Sequence, residues 1–147
     1  MTAIELKIGN YVNVPNEAQC SFRIDAFEYL SKDFIKAAMK MSIEGTEVHP
    51  LTWYGGDLTP IDLTEDWLNK SDLEKHDHMN LWQKRNFGVW YQKGPDAYGQ
   101  VCIGFYFVFI DIAKNTIITP FQIKYVHQLQ NLYFELSGEE LTFKFND

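Results

Sequence analysis

Tyr125 to Leu141 reads YVHQLQNLYFELSGEEL. Val126, Leu129, Tyr133 and Leu136 recur at steps of three and four, which places them on one stripe of a helix. His127, Gln128, Gln130, Asn131 and Glu135 fall largely on the other sides. Gly138 follows as the residue that ends the helix, because glycine adopts the left-handed conformation without a Cβ clash. The stretch therefore predicts an amphipathic helix of about three to four turns that covers one face of a sheet.

Working back from this helix, the period changes to that of strands. Val101 to Ile112 is a near-continuous run of β-branched and aromatic residues, read as a strand buried on both faces. Lys114-Asn115 turns the chain, Thr116 to Thr119 returns as a short strand, and Pro120 ends it. Leu81 to Arg85 and Phe87 to Lys93 also read as strands, with Asn86 or Gly88 allowing the bend between them. Upstream, Thr64 is a good N-cap with Glu65 and Asp66 in the first turn, so Glu65 to about Leu73 is expected to be helical. Downstream, Leu141, Phe143 and Phe145 alternate as a terminal strand.

In the N-terminal third, Ile4, Leu6 and Ile8, then Val12 and Val14, then Phe22, Ile24 and Ala26 alternate with polar residues. Residues 1–30 thus read as a small β-meander or half-barrel. Ser31 can cap a helix carrying Phe34, Ile35, Ala38 and Met39, with a strand over Lys36 to Glu44 as the open alternative. Gly45 to Pro60 is punctuated by Gly45, Pro50, Gly55-Gly56 and Pro60 and reads as a loop. The expected fold is α+β: an antiparallel sheet packed by the C-terminal helix, preceded by the meander, in one domain over 1–147.

Composition narrows the function. Forty-six per cent apolar and 16 per cent aromatic residues suffice for a packed core. The net charge of −7 argues against an electrostatic grip on nucleic acid as the dominant interaction. Cys20 and Cys102 have no Cys-x-x-Cys spacing, which suits a reducing cytosol. The opening MTAIELKIGNY lacks an apolar core of signal-peptide length, and Val101 to Ile110 is about half a membrane span, so a cytoplasmic protein with no membrane partner is expected.

No stretch carries a recognisable reaction. There is no G-x-S-x-G turn, P-loop or G-x-G-x-x-G fingerprint, and no cofactor is expected. His76-Asp77-His78 resembles a metal site only if both histidines point the same way from a strand; the alternative is an exposed turn. His127, Gln130 and Asn131 form a polar patch that could contact a partner or could satisfy backbone groups within the fold. Three stretches are candidate partner-binding surfaces. Lys32, Lys36 and Lys40 line up on one side of the expected helix, as a basic stripe or a solvated face. Trp53 and Tyr54 lie in the expected loop, as interface anchors or as lids on the core. Lys84, Arg85 and Lys93 accompany Trp82, Trp90 and Tyr91, as a base-stacking hairpin or an ordinary strand pair.

Three motifs bracket nearly the whole chain: IGNYV from Ile8, PIDLTEDWL from Pro60, and YVHQLQNLYFELSGEEL from Tyr125. Together they resemble a family of small uncharacterised proteins from bacterial genomes and phages. That family's patterns are I-G-N-Y-V, P-I-x-L-T-x-x-W-L and Y-V-H-Q-L-Q-N-L-Y-F-x-L-T-G-x-E-L, and Ser137 stands here where threonine is usual. The resemblance implies no activity, cofactor or catalytic residue. It implies a setting among accessory genes of phages and mobile elements, and hence a non-enzymatic protein that binds and inhibits a host protein in the bacterial cytosol. The most concrete expectation is an anti-CRISPR-type inhibitor of a defence nuclease effector or its guide RNA. The alternatives are a module for single-stranded RNA or DNA and a small metal-dependent hydrolase using His76 and His78.

Overall fold

The computed structural model describes residues 7, 9–13, 21–31, 34–43, 46–55, 58–95, 99–111 and 113–144. Over these residues the fold is α+β, with two antiparallel sheets and two helices. The elements in chain order are β1 (Tyr11–Asn13), β2 (Ser21–Ser31), β3 (Phe34–Ile43), β4 (Thr46–Gly55), β5 (Thr59–Pro60), α1 (Glu65–Lys70) and β6 (Glu74–Lys75). They continue as β7 (Leu81–Lys84), β8 (Phe87–Pro95), β9 (Val101–Ile110), β10 (Thr116–Ile123) and α2 (Val126–Ser137). The first sheet runs β4-β3-β2-β1-β5 and the second β10-β9-β8-β7-β6. The first sheet is open, with β4 and β5 at its edges, and the described strands form no closed barrel.

The helix expected from Ser31 is strand β3. Ala, Met and Lys give Phe34–Ile43 helical propensity, but β2 and β4 pair with it on both sides, and that tertiary pairing overrides the weak local preference. The expected loop 45–60 likewise becomes the edge strand β4. Pro50 is tolerated there because it lies at the register shift beside Lys40, where no regular ladder bond is required. The expected strand at Ile4 to Ile8 falls, apart from Lys7, outside the described residues.

The two-period stretches of the second half form the second sheet. Arg85 and Asn86 make a two-residue turn between β7 and β8, with Arg85 at φ 54°. Gly88 lies within β8 and serves packing: a Cβ there would stand 2.7 Å from Val108 Cγ2. β10 is longer than its sequence suggested and passes through Pro120. A bulge between Ile118 and Gln122 absorbs the proline, and Thr119 Oγ1 donates to Phe107 O at 2.7 Å within it. The turn before β10 is held by Asp111, which accepts from Asn115 N at 2.7 Å and Asn115 Nδ2 at 2.9 Å. These bonds hold the Asp111 carboxyl below the usual carboxylate range.

Helix α1 ends earlier than expected, because the Ser71 hydroxyl donates to Leu68 O at 2.6 Å and draws the chain out of the helix. A bridge between Ser71 and Phe143 is all that the described part of the expected terminal strand contributes. Helix α2 begins where Gln128 Oε1 accepts from Lys124 N at 3.0 Å, and it ends at Gly138 with φ 72°.

The main core forms where α2 meets the second sheet. Val126, Leu129 and Tyr133 pack with Ile123, Phe87, Val89 and Trp82, joined by Leu63, Leu68 and Leu73 from the α1 region. The buried side of α2 is broader than its apolar stripe and includes His127 and Gln130. His127 stacks on Tyr125, with ring centroids 5.7 Å apart. Gln130 reaches the first sheet and the turn that leads into it: its Oε1 accepts from Tyr11 N of β1 at 3.0 Å, and its Nε2 donates to Gly9 O at 2.8 Å. Asn10 Nδ2 adds a bond to Asn131 Oδ1 at 3.0 Å. Tyr11, Trp67 and Phe143 complete the junction as three rings with centroids 5.2–5.5 Å apart. Of the two readings of the His127–Gln130–Asn131 patch, these contacts are those of a structural clasp.

Gln130→Ala should therefore lower unfolding stability by about 2 kcal/mol, since it leaves a buried N–H of the first sheet and a C=O of its leading turn without partners. Chemical denaturation measures this. A loss below about 0.5 kcal/mol, the low end for a single net hydrogen bond, would show that the clasp does not join the sheets.

Candidate functional site

Leu136 belongs to the helical stripe by spacing, yet it is 58 per cent exposed. It sits in the last turn of α2, one turn beyond buried Tyr133, where Ser137 and Gly138 already close the helix. Phe109, expected inside a doubly buried strand, is 43 per cent exposed. Val101 and Ile103 are exposed as well, so β9 is covered along only part of its length.

Leu136 and Phe109 line the same groove, of about 360 Å³, between the last turn of α2 and the β7–β8 turn. Its apolar wall is aromatic and ordered by packing. Phe87 lies 5.2 Å from Phe107 and 5.1 Å edge-on from Tyr133, measured between ring centroids. Ile117, 53 per cent exposed, stands opposite Phe109 in the register and continues the apolar surface onto β10.

One end of the groove is charged. Lys84 Nζ bonds Asp72 Oδ2 at 2.5 Å and lies 5.2 Å from the centroid of the Tyr133 ring. The hydrogen bond to Asp72, and secondarily that to Tyr133, holds the Lys84 pKa above its ordinary value. Arg85 Nη1 bonds Glu139 Oε1 at 2.8 Å, and both side chains are largely solvated, so this pair is worth little to stability. The charges around the groove are thus balanced in pairs, and its apolar wall is the part left to be covered.

The candidate residues are spread over the molecule. Lys84 and Arg85 line the groove, whereas Lys93 is exposed farther along β8, opposite Ile103. Trp82 is buried in the core with its Nε1 donating to Asn69 Oδ1 at 2.9 Å, and it offers no face for stacking a base. Trp90 packs on the other side of the sheet with Leu81, Val108 and Ile110. Trp53 and Tyr54 lie on edge strand β4, in register with Ala37 and Lys36. Lys36 and Lys40 occupy strand positions paired with Glu28 and Arg23 of β2, so the helical stripe does not form. Lys32 is outside the described residues. His76 Nε2 is 2.8 Å from Gln83 Oε1 across the β6–β7 hairpin, and His78 is exposed in its turn. Among the described residues, no three His, Cys, Asp or Glu side chains gather as a metal site. No described helix is long and apolar enough to cross a membrane.

The groove residues that sequence reasoning missed are Phe107, Phe109, Tyr133 and Leu136 acting together. One signal was present: Phe134 and Leu136 flank Glu135, and both cannot join a narrow buried stripe. Compared with known proteins, the chain matches no family model, no curated protein and no solved structure.

The Lys84–Asp72 pair gives a pH test. A raised lysine pKa contributes stability that is complete below the ordinary lysine value and is lost as pH rises through the raised one. Asp72→Asn should shift the Lys84 titration downward and diminish this alkaline loss, as followed by NMR of the lysine side chain and by denaturation across pH. An unchanged titration would contradict the pairing.

Proposed function

We propose that this protein acts by binding another protein through the Leu136–Phe109–Ile117 surface, without catalysis. The observation that supports this reading most directly is the packed aromatic groove whose apolar rim stays in solvent. A contiguous apolar rim beside packed aromatic rings is a surface type that interfaces use, because burying it removes water at little cost in side-chain freedom. The ion pairs at Lys84 and Arg85 frame the groove and would disfavour partners that leave those charges uncompensated. The resemblance to phage and mobile-element accessory proteins carries the reading one step further. On that ground the partner is a host protein that the chain inhibits, with a CRISPR nuclease effector as the concrete case.

The test is affinity capture from bacterial lysate with wild type, Leu136→Asp and Phe109→Asp, before and after nuclease treatment. Wild type should retain one dominant protein after nuclease. Each variant should remain folded and bind roughly 30-fold more weakly, corresponding to about 2 kcal/mol for a central interface residue. Binding should depend little on salt. Recovery of RNA or DNA, with proteins lost after nuclease and a steep salt dependence, would overturn the reading in favour of nucleic acid.

A further inference from the structure

Strand β10 forms one edge of the second sheet and is bonded there to β9 alone among the described strands. Ile117, Ile118 and Phe121 are all about half exposed along it. Edge strands are commonly blunted by charge, proline or a bulge. In β10 the bulge and Pro120 interrupt only the second half, leaving Thr116–Ile118 as a regular, apolar edge.

The charge around this edge is unlike that of the rest of the chain. Between Asp111 and Glu135 there is no acidic residue, although the chain has 20 acids in 147 residues and a net charge of −7. The only Lys or Arg residues in that interval are Lys114 and Lys124, which bracket β10. Both are exposed, and among the described residues neither joins an ion pair. By contrast, Lys7, Arg23, Lys75, Lys84 and Arg85 each face a carboxylate. The edge is thus an apolar strip with, at each end, an exposed lysine that joins no ion pair among the described residues; Asp111 lies in the turn beside Lys114, and Asp62 is bridged to Tyr125 beside Lys124.

We infer that β10 accepts an extended segment of a partner protein as an added strand. The segment has alternating apolar residues and acidic residues at its flanks, which meet Lys114 and Lys124. Backbone pairing supplies the attachment and the lysines supply the choice of segment. This inference rests on the protein-binding reading: a strand added at Thr116–Ile118 sets its side chains beside Ile117 and Phe109, continuous with the groove. A second copy of this chain fits the edge poorly. Antiparallel self-pairing about Ile117, the centre of the regular stretch, would set Lys114 of one copy opposite Pro120 of the other and bring no carboxylate from either β10 to the lysines.

The test uses the full chain labelled with ¹⁵N and synthetic peptides alternating Val and Thr over about six residues, flanked by either Glu or Lys pairs. The Glu-flanked peptide should shift the amides of Thr116–Thr119 and slow their hydrogen exchange. The Lys-flanked peptide should bind roughly tenfold more weakly, and the exposed double variant Lys114→Glu/Lys124→Glu should reverse that order. Equal binding of both peptides, no effect at millimolar peptide, or shifts outside β10 would overturn the inference. So would an oligothymidylate that perturbs these amides while the peptides do not, or concentration-dependent protection showing a dimer. If Leu136→Asp still abolishes protein capture while the peptides have no effect, the edge assignment fails and the groove reading stands. If nothing but nucleic acid is captured, the reading itself fails.

Discussion

One helix has to satisfy two sheets. α2 buries Val126, Leu129 and Tyr133 against the second sheet, and from the same turns it extends Gln130 to the backbone of Tyr11 in the first and of Gly9 in the turn before it. The apolar contacts provide most of the burial, because hydrophobic stabilisation scales with area removed from water. The carboxamide fixes orientation, because a buried backbone N–H and C=O must each have a partner. The position of α2 is therefore determined at its first and middle turns. Its last turn is left over the rim of the second sheet, and the groove follows from that placement.

Charge has a different role. The chain is acidic, yet the cations nearest the groove are matched by carboxylates drawn from the α1 region and from the segment after α2. The solvated Arg85–Glu139 pair adds little to stability, and both pairs reduce the positive field that a nucleic acid would need. The burial of Trp82 acts in the same direction, since single-strand binding depends on accessible aromatic faces. What stays exposed at the groove is apolar surface, of the kind that protein, membrane or ligand contacts cover.

The second half of the chain was largely legible from sequence. Its strands carry β-branched and aromatic residues at period two, and α2 carries both its stripe and its glycine terminator, so local preference and tertiary structure agree. The β3–β4 region was not legible, because Ala, Met and Lys favour a helix and the glycines and Pro50 suggest a loop, while the ladder to β2 dictates strands. The bulge at Pro120 was hidden for a similar reason: Thr119 supplies with its side chain a bond that the backbone does not make. The groove was hidden more deeply. Periodicity assigns Leu136 and Phe109 to buried faces correctly in direction, but where the covering element ends is a fact of three-dimensional packing. Lys84 and Arg85 were singled out for their charge, and they do reach the groove, although as its paired rim.

Hydrogen exchange on the captured complex, compared with the free chain, tests the central claim most directly. The account predicts new protection in the last turn of α2, in the Lys84–Phe87 turn and from Phe107 to Ile118, with little change elsewhere. Protection confined to Thr46–Gly55, the edge that carries Trp53 and Tyr54, would contradict it and move the binding surface to the first sheet.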